Sequence, residues 1–524
     1  MNPGTAMTPA HGAQLAKLTA GLVAAPAALE VSDVTLDSRA AGPGALFLAC
    51  RGHGRHGIEF LGEALARGAG AVLYEPSPGA LELVEAGLTR LARDSGGRAD
   101  EVFVAPVPQL SEHVGIIADR FFGEPSQAVT VVGITGTNGK TTCAWLLAQA
   151  LGHCERPAAY MGTIGFGFPG ALAATERTTD DAVTVHRRLA AMRDLGAEVV
   201  SMEVSSHALD QHRVGGVRFH TAAFTNLTRD HLDYHGTMMA YADAKARLFA
   251  WPGLALRVIN VDDEFGAQLA GQLSAAQLVI TTRAGERQQQ PPGARVVRAV
   301  RVEAAISGLI IDVESSWGAA RLEVPLIGEF NADNALTVLA VLLAWDIPLA
   351  SAAAALGSCR AAPGRMEAFG GRDAAPLAIV DYAHTPDALA KALRAARRHC
   401  RGHLRVIFGC GGDRDPGKRP MMGRTAAELA DEVVVTDDNP RSESPERIVA
   451  DILAGIPDGA AVRVEHDRAR AISGTLARSG PEDVVLIAGK GHEEYQIYGG
   501  ERRPFSDQSV ARAALEAMRP GDST

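Results

Sequence analysis

Short apolar runs alternate with longer amphipathic segments over much of the chain, which is the pattern of parallel strands covered by helices. The clearest example begins at residue 128, where Ala-Val-Thr-Val-Val-Gly-Ile-Thr predicts a buried strand. A Gly-rich loop follows, and then a helix is predicted over 141–151. The same pattern predicts further strands at 198–203, 220–225 and 256–261.

A second stretch with this pattern begins near residue 376. Strands are predicted at 377–381, 404–409, 432–436 and 484–488, with a helix over 386–400 after the first. We interpret this stretch as a Rossmann-like domain. Before residue 126, short strands at 45–50 and 71–74 flank Gly-rich loops and predict a smaller first domain.

A length of 524 residues favours about three domains of roughly 100 to 200 residues each. We place them at 1–126, 127–358 and 359–524, and the Gly- and Pro-containing segment 357–365 is the predicted hinge before the third. The predicted fold class is α/β, with a P-loop-type parallel sheet in the central domain and a Rossmann-like C-terminal domain. The apolar run at 336–345 is about half a membrane span, so it predicts a buried core helix.

Charge and cysteine content narrow the possible partners and location. The net charge is −10 and no basic run stands out, which argues against nucleic acid or an anionic membrane surface as the main partner. The six cysteines form no CxxC pair, so neither a zinc ribbon nor a disulfide framework is predicted. No signal-peptide pattern opens the chain, and a cytoplasmic protein with reduced thiols is expected.

The strand that ends at residue 135 runs into a loop suited to phosphate. Backbone N–H groups and the start of the next helix can surround phosphate oxygens, Lys140 supplies a positive charge, and Thr141 supplies a hydroxyl for Mg²⁺. Ile134 stands where the strict P-loop pattern has glycine, and Gly133 lies one residue earlier, so the loop is a variant. The predicted ATP-binding residues are Gly136, Thr137, Asn138, Gly139, Lys140, Thr141 and Thr142.

Metal-binding side chains follow two later strands. Glu203 ends the strand predicted at 198–203, at the edge where α/β sheets bind ligands, and is a candidate Mg²⁺ ligand. His231 and His235 are four residues apart and could bind zinc on one helix face, but the Glu of a zinc-hydrolase motif is missing. A solvated, His-rich loop is the other interpretation of this segment.

The loop Gly133-Ile-Thr-Gly-Thr-Asn-Gly-Lys-Thr resembles the ATP loop of the Mur ligase family and of the related folylpolyglutamate synthases. In Mur ligases, residues matching Glu203 and His231 hold a second Mg²⁺, and the lysine matching Lys245 is carbamylated by CO₂. The resemblance therefore implies Thr141, Glu203, His231 and a carbamate on Lys245 as metal ligands. From the sequence alone, Lys245 also fits a solvated surface lysine.

The resemblance assigns two more residues to ATP. Asn331 matches the family asparagine that contacts the adenine side, although an asparagine at the start of a helix also fits an N-cap. Arg365 is expected to reach the ATP phosphates when the third domain closes.

The resemblance also implies a UDP-linked muramoyl dipeptide as one substrate. A uridine-diphosphate pocket is expected at Leu36, Ser38, His53, Gly54 and Arg55. Contacts with the muramoyl-dipeptide end are expected from Arg177, Thr178, Thr179, Ser205, Gln211 and Arg213. Arg177 stands where some relatives have Asn.

Three loops of the third domain follow predicted strands and can converge on one cleft. Asp438-Asn-Pro-Arg441 resembles the family's diaminopimelate signature, although Asn-Pro alone also fits a turn. Two guanidiniums can grip the distal carboxylate, and bound lysine would leave them unpaired at a cost of about 1–3 kcal/mol. The implied diaminopimelate-binding residues are Arg414, Asp438, Asn439, Pro440, Arg441, Gly489 and Glu493.

The expected activity is an ATP- and Mg²⁺-dependent ligase that adds meso-diaminopimelate to UDP-N-acetylmuramoyl-L-alanyl-D-glutamate through an acyl phosphate. A monomer without membrane insertion is expected. A lysine-adding Mur ligase and a folylpolyglutamate synthase are the rival enzymes. A P-loop regulatory switch that acts by conformation alone is the rival from another class.

Overall fold

The computed structural model describes residues 12–52, 54–95, 101–283, 292–371 and 375–518. These residues form two compact units. The first contains the described residues up to Lys140 together with Glu155–Arg257, and the second contains Thr141–Cys154 and the described residues from Val258 onward. Among the described residues, every helix is too short or too polar to cross a bilayer.

The first unit begins with a small parallel sheet, in the order β3-β4-β5-β6. Its inner residues alternate between two apolar cores, so that Leu46 and Leu48 face one core while Phe47 and Ala49 face the other. The strands before residue 126 are β1 (Ala13–Gln14), β2 (Glu30–Val31), β3 (Val34–Thr35), β4 (Leu46–Ala49), β5 (Ala71–Tyr74) and β6 (Phe103–Pro106). The helices are α1 (Leu15–Leu18), α2 (Leu61–Ala66), α3 (Ala80–Ser95), α4 (Leu110–Phe121) and α5 (Pro125–Ala128).

The next six strands of the first unit follow the order β10-β9-β8-β11-β7-β12 within a larger sheet, and β8, β11, β7 and β12 are parallel. Its strands are β7 (Thr130–Thr135), β8 (Ala158–Gly162), β9 (Gly165–Phe168), β10 (Ala171–Ala173), β11 (Val199–Glu203) and β12 (Phe219–Phe224). The helices of this region are α6 (Lys140–His153), α7 (Ala182–Asp194), α8 (Ser206–Asp210), α9 (Leu232–His235) and α10 (Met238–Ala246). Helix α6 begins at the phosphate loop, and its remaining residues belong to the second unit.

The second unit continues with strands in chain order that end in an antiparallel meander. They are β13 (Leu256–Asn260), β14 (Leu278–Thr282), β15 (Arg295–Ala305), β16 (Gly308–Ser315) and β17 (Gly318–Val324). The helices are α11 (Glu264–Gly271), α12 (Phe330–Ala344) and α13 (Leu349–Ser358). Helix α12 contains the apolar run at 336–345 up to Ala344 and is buried along most of its length, as predicted.

The last sheet has the order β18-β19-β23-β20-β21-β22, in which only β18 is antiparallel among the described strands. Its strands, with a final hairpin, are β18 (Glu367–Gly370), β19 (Leu377–Asp381), β20 (Leu404–Phe408), β21 (Glu432–Val435), β22 (Val462–Val464), β23 (Val484–Ala488), β24 (Tyr495–Tyr498) and β25 (Glu501–Pro504). The helices are α14 (Pro386–Arg398), α15 (Lys418–Leu429), α16 (Pro445–Leu453), α17 (Arg468–Ala477) and α18 (Asp507–Ala517). Helices cover both faces of the sheet, which explains why its inner strands β19, β20, β21 and β23 are mainly apolar.

Candidate active site

The phosphate loop leaves β7 at Thr135 and requires glycine at its first turn. Gly136 has φ of +150° and Gly139 has φ of +85°. A Cβ atom at Gly136 would overlap the hydroxyl oxygen of Thr225, at the end of the neighbouring strand. The loop can therefore pass this closely to β12 only because Gly136 has no side chain.

The segment that follows β12 holds the phosphate loop through hydrogen bonds on both sides. The Thr225 hydroxyl donates to the Asn138 carbonyl over 2.6 Å, and the Thr137 N–H donates to the Asn226 carbonyl over 2.7 Å. The Thr228 N–H donates to the Thr137 hydroxyl over 2.9 Å. This bracing fixes the loop before any phosphate arrives.

Two lysines donate to a single carbonyl oxygen in the loop. Lys140 Nζ lies 2.9 Å from the Gly136 oxygen, and Lys245 Nζ lies 2.7 Å from the same oxygen. The Lys245 side chain is 1% exposed. Burial, reinforced by the charge of Lys140, lowers the pKa of Lys245 to about 6. The neutral amine is therefore favoured at pH 7, and burial excludes the alternative interpretation of Lys245 as a solvated surface lysine.

Glu203 is buried at the end of β11, beside β7. Its Oε1 accepts hydrogen bonds from the Tyr160 hydroxyl at 2.5 Å and from the Thr163 N–H at 2.8 Å. The Thr163 hydroxyl donates to Oε2 over 3.2 Å. These donors fix the orientation of a carboxylate, which is a ligand type that Mg²⁺ prefers.

An aromatic cluster of three histidines and two tyrosines lies beside this strand edge. The His207 ring centroid is 4.8 Å from that of His231 and 5.4 Å from that of His235. Burial, with the neighbouring His231 and His235, lowers the pKa of His207 below its usual range. Within the described ranges, no three His, Cys, Asp or Glu side chains are placed to hold a metal ion. The Glu203 carboxylate and the Thr141 hydroxyl are oxygen donors of the kind that Mg²⁺ prefers, whereas the imidazole of His231 is a nitrogen donor.

The residues predicted to contact the muramoyl dipeptide are brought together around Glu203. The Thr179 hydroxyl donates to the Glu203 carbonyl over 2.8 Å and accepts from the Ser205 N–H at 3.2 Å. Arg213 donates to the Thr179 carbonyl over 3.0 Å and to the Gln211 side chain over 3.0 Å.

Of the two remaining residues of this predicted group, Thr178 contacts another residue of the site, whereas Arg177 is exposed. The Thr178 hydroxyl is within 3.0 Å of that of Thr163, which bonds Glu203. Arg177, by contrast, is exposed, although its charge acts on the neighbouring Arg213.

The predicted uridine-diphosphate residues follow adjacent parallel strands. Leu36 and Ser38 come after β3, and Gly54 and Arg55 come after β4, so both loops lie at one edge of the small sheet. The Ser38 hydroxyl donates to Glu63 over 2.7 Å.

Arg55 belongs to the same predicted pocket and contacts two neighbouring side chains. The Arg55 guanidinium lies 4.4 Å from the centre of the Phe60 ring and pairs with Glu59. His53 lies outside the described residues.

The three loops of the last sheet meet at the carboxyl ends of β20, β21 and β23. Asn439 Nδ2 donates to Glu493 over 2.9 Å, and Arg441 donates to the Gly412 carbonyl over 2.7 Å. A Cβ atom at Gly411 would lie 2.9 Å from the Arg441 guanidinium and 3.7 Å from the Arg414 side chain. The structure therefore brings both predicted arginines beside one glycine.

The Asp438 carboxylate lies close to Gly489 in the same cleft. A Cβ atom at Gly489 would lie 2.7 Å from an Asp438 carboxylate oxygen. Burial raises the pKa of Asp438, while Arg468 and Lys490 oppose that rise. Asp438, Asn439 and Pro440 are buried.

Two buried cations of this cleft were missed in the sequence. Lys490 is 0% exposed and donates to Asn439 over 3.2 Å and to Glu493 over 3.1 Å. Arg468 pairs with Asp507, with Nε 2.7 Å from the carboxylate, and also donates to the Ala488 carbonyl over 2.9 Å. Lys490 lies in the loop after β23, which the sequence predicts to be part of the cleft. Arg468 begins α17, and no sequence motif marks it.

Asn331 and Arg365 are the two residues of the second unit that are predicted to contact ATP, and each contacts a neighbouring residue in the structure. The Asn331 side chain is 2% exposed and donates to the Ile327 carbonyl over 2.8 Å. The Arg365 guanidinium lies 5.5 Å from the centre of the Tyr382 ring. Its buried Nε has no hydrogen-bond partner among the described residues, which suits a group that a ligand would satisfy.

Three family models match the chain in succession. Residues 30–122 match "Mur ligase family, catalytic domain", 134–342 match "Mur ligase middle domain" and 364–491 match "Mur ligase, glutamate ligase domain". A UDP-N-acetylmuramoyl-L-alanyl-D-glutamate--2,6-diaminopimelate ligase of Chromobacterium violaceum is 48% identical, over 93% of this chain and 95% of the relative. The chain belongs to the Mur ligase family.

Solved structures of Mur ligases and their relatives share the fold. A ligase with the same name as the Chromobacterium enzyme is 33% identical and has a TM-score of 0.71, covering 98% of this chain and 100% of the other. A folylpolyglutamate synthase of Mycobacterium tuberculosis is 18% identical with a TM-score of 0.54, covering 78% of this chain and 95% of its own, so that likeness is one of fold alone. The predicted family and its three-domain α/β architecture are confirmed, whereas the domain boundaries stay a prediction.

Replacing Lys140 with Ala is expected to abolish ATP turnover without unfolding the protein, because the side chain is only partly buried and donates to the Gly136 and Thr137 carbonyls of the phosphate loop. Phosphate release and thermal unfolding of the purified variant measure the two effects. Lys391→Ala, which removes an exposed lysine of α14, is the matched control and should keep full activity. Ligase activity in Lys140→Ala would refute the assignment of the ATP loop.

Proposed function

We propose that this Mur ligase joins meso-2,6-diaminopimelate to UDP-N-acetylmuramoyl-L-alanyl-D-glutamate, with ATP hydrolysed to ADP and phosphate, in the synthesis of peptidoglycan precursors. The observation that carries this assignment is the meeting of three strand-end loops in the second unit. There Arg414 and Arg441 flank Gly411, and Glu493 accepts from Asn439. The names of the relatives support the same reaction.

In the first step, the D-glutamate side-chain carboxylate attacks the γ-phosphorus of ATP, forming an acyl phosphate and releasing ADP. Lys140 leaves the Gly136 carbonyl and donates to the phosphate oxygens. Mg²⁺ would be held by Thr141, Glu203, His231 and a carbamate on Lys245, and it supplies neutralisation of the phosphate charge. Asn331 contacts the adenine side, and Arg365 reaches the phosphates.

In the second step, a neutral amine of diaminopimelate attacks the acyl carbon and loses a proton. The tetrahedral intermediate then collapses, the C–O bond to phosphate breaks, and an amide forms. Amide formation from a free carboxylate is uphill in water, so the free energy released when ATP is cleaved to ADP and phosphate drives the reaction. Glu493 and the Gly489 carbonyl hold the distal ammonium, while Arg414 and Arg441 hold the distal carboxylate.

A carbamate on Lys245 is supported by the state of its amine. Only a neutral amine adds to CO₂, giving a carbamate anion and a proton. Because the pKa of Lys245 is lowered to about 6, this form dominates at neutral pH. The carbamate converts a buried nitrogen donor into an oxygen ligand beside the loop that holds the ATP phosphates.

The remaining parts of the proposal concern the UDP substrate, the location and the assembly. The loops after β3 and β4 bind uracil, ribose and diphosphate through Leu36, Ser38, His53, Gly54 and Arg55. The protein acts in the cytoplasm as a monomer, does not bind nucleic acid and does not insert into a membrane. Six free cysteines agree with a reducing compartment.

One assay separates the proposal from its rivals. Phosphate release by purified protein should require ATP, the UDP-muramoyl dipeptide and diaminopimelate together. Activity with lysine in place of diaminopimelate would indicate the lysine-adding enzyme, and activity with a folate and glutamate would indicate folylpolyglutamate synthase. Nucleotide binding without any ligation would indicate a regulatory switch.

Lys245→Ala is expected to inactivate the enzyme, and added bicarbonate or short carboxylates should restore part of the activity, because the missing group is an anion that binds metal. The measurement is the rate of phosphate release against carboxylate concentration. Lys140→Ala is the matched control, since it lacks a cation and should gain nothing from carboxylates. Wild-type activity in Lys245→Ala would overturn the carbamate assignment.

Arg441→Ala and Arg414→Ala are each expected to weaken the apparent affinity for meso-diaminopimelate by roughly 1.5–3 kcal/mol, which is about ten- to a hundredfold. Affinities for ATP and the UDP substrate should stay near those of the wild type. The preference for diaminopimelate over L-lysine should shrink in parallel. Arg441→Lys, which keeps the charge but not the planar fork, should fall between the wild type and Arg441→Ala. A wild type that prefers lysine, or an Arg441→Ala variant with unchanged preference, would refute the amino-acid assignment.

A further inference from the structure

A buried histidine at the end of α14 contacts the segment that leads into α12, the helix in which Asn331 lies. His399 is 3% exposed. Its Nε2 accepts a hydrogen bond from the Gly328 N–H at 3.0 Å, and its Nδ1 lies 2.6 Å from the Ala305 carbonyl oxygen. A backbone N–H can only donate, so Nε2 is unprotonated and Nδ1 carries the proton that goes to Ala305. Both ring nitrogens are therefore used, and the neutral tautomer is fixed.

The bond from Gly328 belongs to the same peptide group that holds Asn331. The Ile327 carbonyl and the Gly328 N–H are opposite ends of one planar trans peptide. His399 accepts from the N–H end, and the Asn331 carboxamide donates to the carbonyl end over 2.8 Å. The Asn331 oxygen accepts from Asn334 over 2.7 Å, so the orientation of this carboxamide is determined on both sides.

We infer that His399 is a positioning residue for the nucleotide site: it fixes the Ile327–Gly328 peptide plane and thereby orients the Asn331 carboxamide toward the adenine base. This inference rests on the proposed function, in which Asn331 faces adenine. It also links α14, in the amino-acid-binding part of the second unit, to the Ile327–Gly328 peptide at the start of α12.

Close packing and charge support this link. A Cβ atom at Gly328 would lie 3.1 Å from the Ala395 side chain, so α14 packs directly on this glycine. The neighbouring ion pair between Arg398 and Glu329 has an Arg398 side chain that is 65% exposed, and an exposed pair of this kind contributes little. The buried imidazole is therefore the stronger connection. Burial lowers the pKa of His399, which keeps the ring neutral and Nε2 able to accept.

Two substitutions separate the roles of the ring nitrogens. In His399→Asn, the amide nitrogen takes the place of Nδ1, and the acceptor for Gly328 is lost. In His399→Gln, the amide oxygen takes the place of Nε2, and that acceptor is kept. We expect ADP binding, measured by calorimetry on the full chain, to weaken about five- to twentyfold in His399→Asn and by less than about threefold in His399→Gln. The KM for diaminopimelate should stay within about twofold in both variants.

A double-mutant cycle with Asn331→Ala distinguishes positioning from general stability. If His399 acts through Asn331, His399→Asn should have almost no further effect on ADP affinity once Asn331 is Ala. Additive losses, or equal losses for ADP and diaminopimelate, would overturn the inference. If His399→Asn does not fold, the test rests on His399→Gln alone. A folded His399→Gln variant that binds ADP ten times more weakly than the wild type would also overturn the inference. A wild type that binds ADP but ligates nothing would instead refute the proposed function.

Discussion

The backbone of the phosphate loop passes so close to the end of β12 that Gly136 cannot carry a side chain, and the chemistry of the first unit depends on this approach. Because the loop is pressed against Thr225, the Gly136 carbonyl points to a place that two lysine side chains can reach. Burial, and after it the neighbouring charge of Lys140, disfavours a positive charge on Lys245. The pKa of Lys245 is therefore lowered to about 6, which favours the neutral amine that the proposed carbamylation requires.

Parallel strands explain why the other predicted residues cluster. In a parallel sheet all carboxyl ends lie at one edge, so loops that are far apart in sequence become neighbours. Glu203 ends β11 beside Ile134 of β7, at the start of the phosphate loop. The loops after β20, β21 and β23 meet in the same way, which brings Asn439 to within 2.9 Å of Glu493 although 54 residues separate them.

Buried apolar strands and the loops that follow them could be predicted from the sequence because each leaves a local pattern. The strands at 377–381, 71–74 and 484–488 were predicted to the residue, and others were wrong by only one or two residues at an end. The meander of β15, β16 and β17 was missed, since its mixed exposure gives no continuous apolar run. Contacts such as Ser38 with Glu63 or Arg468 with Asp507 depend on long-range packing, and no local pattern reports them.

The charges of the amino-acid cleft are arranged before any substrate binds. Arg468 is satisfied by Asp507, and Lys490 lies between Asn439 and Glu493, so these buried cations serve the protein framework. Arg414 is exposed, and the bond described for Arg441 goes to a backbone carbonyl, so both guanidiniums remain able to pair with an incoming anion. The cleft therefore has a positive side and, on its other side, the negative carboxylate of Glu493, which pairs with Lys490 in this structure. A distal centre with both a carboxylate and an ammonium matches both sides, whereas the side chain of lysine matches only the negative one.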